Sequence, residues 1–139
     1  MTNIIGFTCS TFDLFHAGHV AMLEEAKKQC DYLIVGLQVD PSIDRSFKNK
    51  PVQNIIERQL QLRACKYVDE IIVYNTEQEL FDLLNMIHID VRILGEEYRD
   101  KDFTGHSIKK MKFYFNKRDH NYSTTELRKR VANADVAQG

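Results

Sequence analysis

The sequence predicts an α/β domain built on a mainly parallel five-stranded sheet. Three observations carry that prediction. Short apolar runs dense in β-branched residues alternate with longer amphipathic runs along most of the chain. The stretches between strands are long enough to hold helices, so successive strands run parallel through right-handed crossovers. The 139 residues, 43% hydrophobic and 28% charged, suffice for one buried core, and no repeat or linker divides them. Residues 1–131 are read as the domain and 132–139 as a small, polar, frayed tail.

Ile4 to Cys9 is a short buried strand. From Val20 to Cys30 the apolar residues Val20, Met22, Leu23, Ala26 and Cys30 follow a helical period, with Glu24, Glu25, Lys27 and Lys28 outward. Tyr32 to Val39 is a second buried strand, ended by Asp40-Pro41-Ser42. A polar loop covers Asp44 to Gln53, and a helix from about Asn54 carries Ile55, Ile56, Leu60 and Ala64 inward. Val68 to Tyr74 gives a third strand. Thr76 caps the next helix with Glu79 as its capping-box partner, and Leu80, Leu83, Leu84 and Ile87 form its core stripe. Val91 to Leu94 and Met111 to Phe115 complete the sheet, and Ser123 with Glu126 opens the last helix.

The net charge of −1 offers no general attraction to nucleic acid or membrane, so neither is expected as a partner. No stretch approaches the roughly 18–20 apolar residues of a membrane span. Met1-Thr2-Asn3 runs into the first strand without a signal-peptide pattern. The three cysteines, Cys9, Cys30 and Cys65, are odd in number and lack paired spacing. They argue for a reducing, cytoplasmic setting. Cys9, just before the turn discussed next, reads as a small buried residue at a strand end.

The informative stretch is Ser10-Thr11-Phe12-Asp13-Leu14-Phe15-His16-Ala17-Gly18-His19, a turn between the first strand and the first helix. Free N–H groups at a helix N-terminus attract phosphate, and two imidazoles there add donors that follow charge onto a phosphoryl oxygen. By spacing alone His16 and His19 are equally a packed pair or half of a metal site. Their place at the carboxyl end of a strand, with a glycine between them, favours ligand chemistry.

Thr11-Phe12-Asp13 followed by His16-Ala17-Gly18-His19 resembles the T-F-D-x-x-H-x-G-H signature of nucleotidyltransferases related to glycerol-3-phosphate cytidylyltransferase. The His-x-Gly-His core is shared by a wider superfamily that includes adenylyltransferases and class I aminoacyl-tRNA synthetases. Lys48-Asn49-Lys50 falls where that family has a K-x-K loop, and Arg58 follows Glu57 as the family's arginine closes E-H-R. Arg118 and Ser123-Thr124-Thr125 match the ends of R-T-E-G-I-S-T-T, with Asp119 to Tyr122 changed between them. Ser10 replaces the family's glycine, and Gly95-Glu96-Glu97-Tyr98 stands for its Gly-Asp-Asp-Trp.

The resemblance implies a Rossmann-like three-layer sandwich and transfer of CMP from CTP to a small phosphomonoester such as glycerol 3-phosphate, with release of pyrophosphate. It assigns His16, His19, Lys48 and Arg118 to catalysis, and Thr11, Phe12, Lys50, Arg58, Ser123 and Thr124 to nucleotide and phosphate binding. Mg²⁺ is expected with the triphosphate, held mainly by phosphate oxygens and water, and no protein ligands for it are assigned. A homodimer is implied likewise. Two other functions stay open: an adenylyltransferase using ATP on a sugar-phosphate or nucleotide-like acceptor, and a non-catalytic nucleotide-binding module. A mere binder has no need of two imidazoles at the reacting phosphorus.

Overall fold

The computed structural model describes residues 3–117 and 122–138. Five strands run in it, β1 (Ile5–Ser10), β2 (Tyr32–Gln38), β3 (Glu70–Tyr74), β4 (Val91–Gly95) and β5 (Lys112–Asn116). Four helices follow them, α1 (Ala17–Lys27), α2 (Ile55–Arg63), α3 (Glu77–Met86) and α4 (Thr124–Gln138), and a single 3₁₀ turn covers Glu96–Tyr98. The strand order is β3-β2-β1-β4-β5 and every pairing is parallel. The sheet is thus wholly parallel, a Rossmann-like arrangement. The order reverses between β1 and β4, which opens a crevice at their carboxyl ends.

Both faces of the sheet are covered, because β2 alternates between two cores. Leu33, Val35 and Leu37 pack with Leu23, Ala26 and Leu62 from α1 and α2. Ile34 packs with Leu80 and Leu84 of α3, together with Ile108 and Met111 from the long segment before β5. Gly36 lets the rings of Phe7 and Tyr74 close over the strand, since a Cβ there would sit 2.8 Å from Phe7.

Several expectations are corrected. In α2 the inward residues are Ile55, Arg58 and Leu62, whereas Ile56 is 62% and Leu60 54% exposed. The helical period allows either face, and the buried arginine selects the one that brings its guanidinium under the strand ends. Val20 is exposed on α1. Thr76 does cap α3 by accepting from Glu79 N at 3.1 Å, but the Glu79 carboxylate turns back to Asn75 N instead of closing a capping box.

Candidate active site

Between β1 and α1 the chain makes a tight turn in which Phe12 (φ 48°) and Leu14 (φ 52°) both take left-handed backbone conformations. For bulky residues this costs about 1–2 kcal/mol each. The turn persists because its surroundings determine it. Phe12 is buried in the core, and the carboxylate of Asp13 accepts Val52 N at 2.8 Å and Gln53 N at 2.9 Å. Leu14 N donates to the Gln53 side chain. Asp13 also pairs with Arg128 of α4 at 3.1 Å, which ties the turn to the last helix.

Arg58 anchors the same turn from beneath. It is 2% exposed, and its guanidinium donates to the carbonyls of Thr11, Gln38, Val39 and Gln53. Burial pulls its pKa down from the ordinary arginine value. The residue expected to bind phosphate thus directs four hydrogen bonds to backbone carbonyls around the turn. Strand-end carbonyls lack partners in the sheet, and the planar fork of donors satisfies several of them at once.

His16 is the N-cap of α1, and its pairing with His19 is reciprocal. His16 Nδ1 accepts Gly18 N at 2.9 Å, while His19 Nδ1 accepts His16 N at 3.2 Å. A nitrogen that accepts carries no hydrogen, so this pattern assigns the N–H of each ring to Nε2. His16 Nε2 lies 3.1 Å from Thr124 Oγ1 at the start of α4. The His19 ring stacks on Phe15 at 5.4 Å and 13°. Burial, and then the neighbouring His16, lower its pKa from 6.5 to about 4, with Asp13 opposing. His19 is thus a neutral donor at physiological pH. Gly18 is required where it stands, because a Cβ would meet the His16 ring at 2.7 Å.

Ser123 caps α4, its Oγ accepting Glu126 N at 3.0 Å. The N-termini of α1 and α4 therefore converge at His16 and Thr124, and both present amides suited to anions. Two cavities open beside them. One, about 690 Å³, is lined by His16, His19, Lys117, Ser123 and Thr124. The other, about 770 Å³, reaches from Ser10, Thr11 and Lys48 down to Arg92. They share a wall of Met22, Gly95, Glu97 and Asn116. In that wall Asn116 Oδ1 is buried without a hydrogen-bond partner among the described residues.

The structure thus brings together His16, His19, Ser123 and Thr124, with Thr11 and Lys48 across the shared wall. The Phe12 side chain is core and its ring flanks His19 at 5.4 Å. Lys50 is exposed and outside the lining of both cavities. Arg118 lies outside the described residues. Asp13, Arg128 and Arg92 were missed as site residues; Arg128, four residues after Thr124 on one helical face, had a signal in its spacing. Among the described residues no cluster of three or more His, Cys, Asp or Glu is placed to hold a metal. Likewise no described helix is long and apolar enough to cross a membrane.

Residues 7–130 match the model of the cytidylyltransferase-like family, a span that includes both converging helix N-termini. The chain belongs to this family. It is 39% identical over 102 residues to a bifunctional protein HldE of Acidiphilium cryptum, covering 73% of this chain and 21% of that one. An ethanolamine-phosphate cytidylyltransferase of Dictyostelium discoideum is 37% identical over 87 residues, covering 62% of this chain and 24% of that one. The chain thus spans about a fifth to a quarter of the length of these relatives. Among solved structures, a lipopolysaccharide core biosynthesis protein of Thermoplasma volcanium superposes with a TM-score of 0.60 at 21% identity, over 96% of this chain and 90% of that one. A bifunctional NMN adenylyltransferase/ADP ribose pyrophosphatase of Francisella tularensis gives 0.61 at 15% identity, over 95% and 42%. These two likenesses concern the fold.

Proposed function

We propose that this protein is a nucleotidyltransferase that moves CMP from CTP to a small phosphomonoester, glycerol 3-phosphate or a relative of it, and releases pyrophosphate. The observation that carries the reading is the reciprocal His16–His19 cap, which leaves an Nε2–H on each ring in the lining of the cavity where two helix N-termini meet. A phosphate oxygen of the acceptor attacks the α-phosphorus in line. One P–O bond forms as the bond to the bridging oxygen of the leaving pyrophosphate breaks, and no covalent enzyme intermediate is needed.

Negative charge grows on the oxygens of the pentacoordinate phosphorus and on the leaving group. Preorganised donors lower the barrier because they need not reorient as that charge appears. Nε2–H of His19 is such a donor, held neutral and fixed by its ring stack. The hydroxyl of Thr124 and the amides of α4 receive the terminal phosphates, and Lys48 offsets charge at the mouth of the other cavity. Arg118 is assigned the same task by its motif alone. Mg²⁺ brought in with the triphosphate would supply further neutralisation of the phosphate charge, with no cluster of protein ligands for it among the described residues.

A pyrophosphate-release screen of CTP, ATP, GTP and UTP against a panel of phosphomonoesters tests the reading. A site that hydrogen-bonds the cytosine edge should favour CTP over ATP by at least about 10² in kcat/KM. Equal or better turnover with ATP would assign the protein to adenylyl transfer.

A further inference from the structure

The larger cavity holds a cation that the transfer step does not use. Arg92, on β4, is 3% exposed and lines this cavity. It donates from Nη1 to the Thr104 carbonyl, and its guanidinium stands 5.2 Å from the Phe103 ring centroid. Its Nε is buried without a partner, and among the described residues no carboxylate pairs with it. A buried charge without a counter-ion is costly to keep unless a ligand completes it.

The carboxylates of this cavity are otherwise placed. Glu77 accepts from Thr104 Oγ1 at 2.8 Å and from Gln38 at 3.3 Å, and lies 3.4 Å from Arg45. The Asp102 side chain is almost wholly in solvent, and Glu97 stands in the wall shared with the smaller cavity. Arg45, on the same lining, also has a buried Nε without a partner. Arg45 is paired with Glu77, which leaves Arg92 as the arginine of this lining without a carboxylate partner among the described residues.

Arg92 is set apart from the two histidines. In the sheet register its backbone pairs with Phe7, three residues or about 10 Å of strand before β1 ends at Ser10. Arg92 lines the larger cavity and not the smaller one, whereas His16 and His19 line the smaller and not the larger. On the transferase reading the histidines meet the reacting phosphorus, so Arg92 serves a different group.

Resting on the transferase reading, we propose that Arg92 receives a second anionic group carried by the acceptor. The acceptor is then a phosphomonoester with a further oxyanion, a carboxylate or a second phosphate, at the end remote from the attacking phosphate. Either fits a guanidinium with free N–H groups.

Matched acceptor pairs test this on the full chain. Glycerol 3-phosphate against 3-phosphoglycerate reports a carboxylate, and glucose 1-phosphate against glucose 1,6-bisphosphate reports a second phosphate. Wild-type protein should favour the doubly anionic member of at least one pair by tenfold or more in kcat/KM, and the pair showing it identifies the group. In Arg92→Gln that ratio should collapse, chiefly through KM of the doubly anionic acceptor, and Arg92→Lys should restore part of it. Calorimetric titration of the same four compounds gives a readout free of turnover. Absence of pyrophosphate release with every nucleotide and acceptor defeats the transferase reading, and binding preference then decides the second-anion proposal alone. Wild-type indifference to the second anion in both turnover and binding overturns it. So does an equal loss on both members of a pair in Arg92→Gln.

Discussion

His16 and His19 hold one another: their ring centroids lie 4.0 Å apart, and each Nδ1 accepts a backbone N–H from the first turn that the two residues share. The same bonds that cap α1 set both tautomers. Structure and chemistry are therefore coupled at one point, and substitutions there should separate only in part.

Replacing either histidine with alanine removes a donor from the transition state, and kcat should fall by roughly 10²–10³. Nucleotide affinity should change far less. His16→Ala also removes the N-cap and should cost about 1 kcal/mol of stability. Steady-state kinetics beside a denaturant titration reads both effects, and near wild-type turnover in both variants would refute the mechanism.

His19 also predicts an acid-side loss of stability. Its pKa is about 4 in the fold against 6.5 unperturbed, so between those values the unfolded chain binds the extra proton. The stability it contributes is complete above about pH 6.5 and declines as pH falls toward 4. At roughly 1.4 kcal/mol per pKa unit, the loss from pH 7.5 to 5 should be about 2 kcal/mol. Urea midpoints across that range should fall in the wild type and flatten in His19→Ala. Parallel slopes in the two proteins would show that His19 is not the titrating group.

Arg58 should behave as a structural clamp. Arg58→Met leaves the carbonyls of Thr11, Gln38, Val39 and Gln53 without their donor and should destabilise the fold by about 3 kcal/mol or more. Arg58→Lys should recover little, since one ammonium cannot reproduce the fork. A stable Arg58→Met protein with weakened nucleotide binding alone would return this residue to the phosphate-binding set.

The two lysines of the K-x-K loop should differ. Lys48 lines the larger cavity, and Lys48→Ala should weaken binding of phosphorylated substrates by about 1.5–3 kcal/mol, the value of a charged hydrogen bond. Lys50 is exposed, so screening should hold the effect of Lys50→Ala below about 1 kcal/mol. Calorimetry with nucleotide and with acceptor compares them, and the reverse ranking would place Lys50 as the contact.

What the sequence by itself determined was whatever rests on local pattern. Strands and helices follow from hydrophobic period, and the caps at Thr76 and Ser123 follow from short-range hydrogen bonding. The His-x-x-His pair was legible because residues three apart at a helix start must lie together. Of the changed loop from Asp119 to Tyr122, residues 119–121 lie outside the described residues, as does Arg118, which therefore rests on its motif alone. Tertiary structure decided what depends on partners distant in the chain. Arg58 reads as an anion ligand near a helix N-terminus until the carbonyls at the ends of β1 and β2 surround it. Asp13 reads as part of a motif until Val52, Gln53 and Arg128 claim its carboxylate. Arg92 looks like a polar interruption in an apolar strand until the sheet register sets it in the wall of a cavity. For Arg58 and Asp13 a charged side chain is assigned by the groups that satisfy it, and in a parallel sheet joined by long crossovers those groups come from elements far apart in sequence.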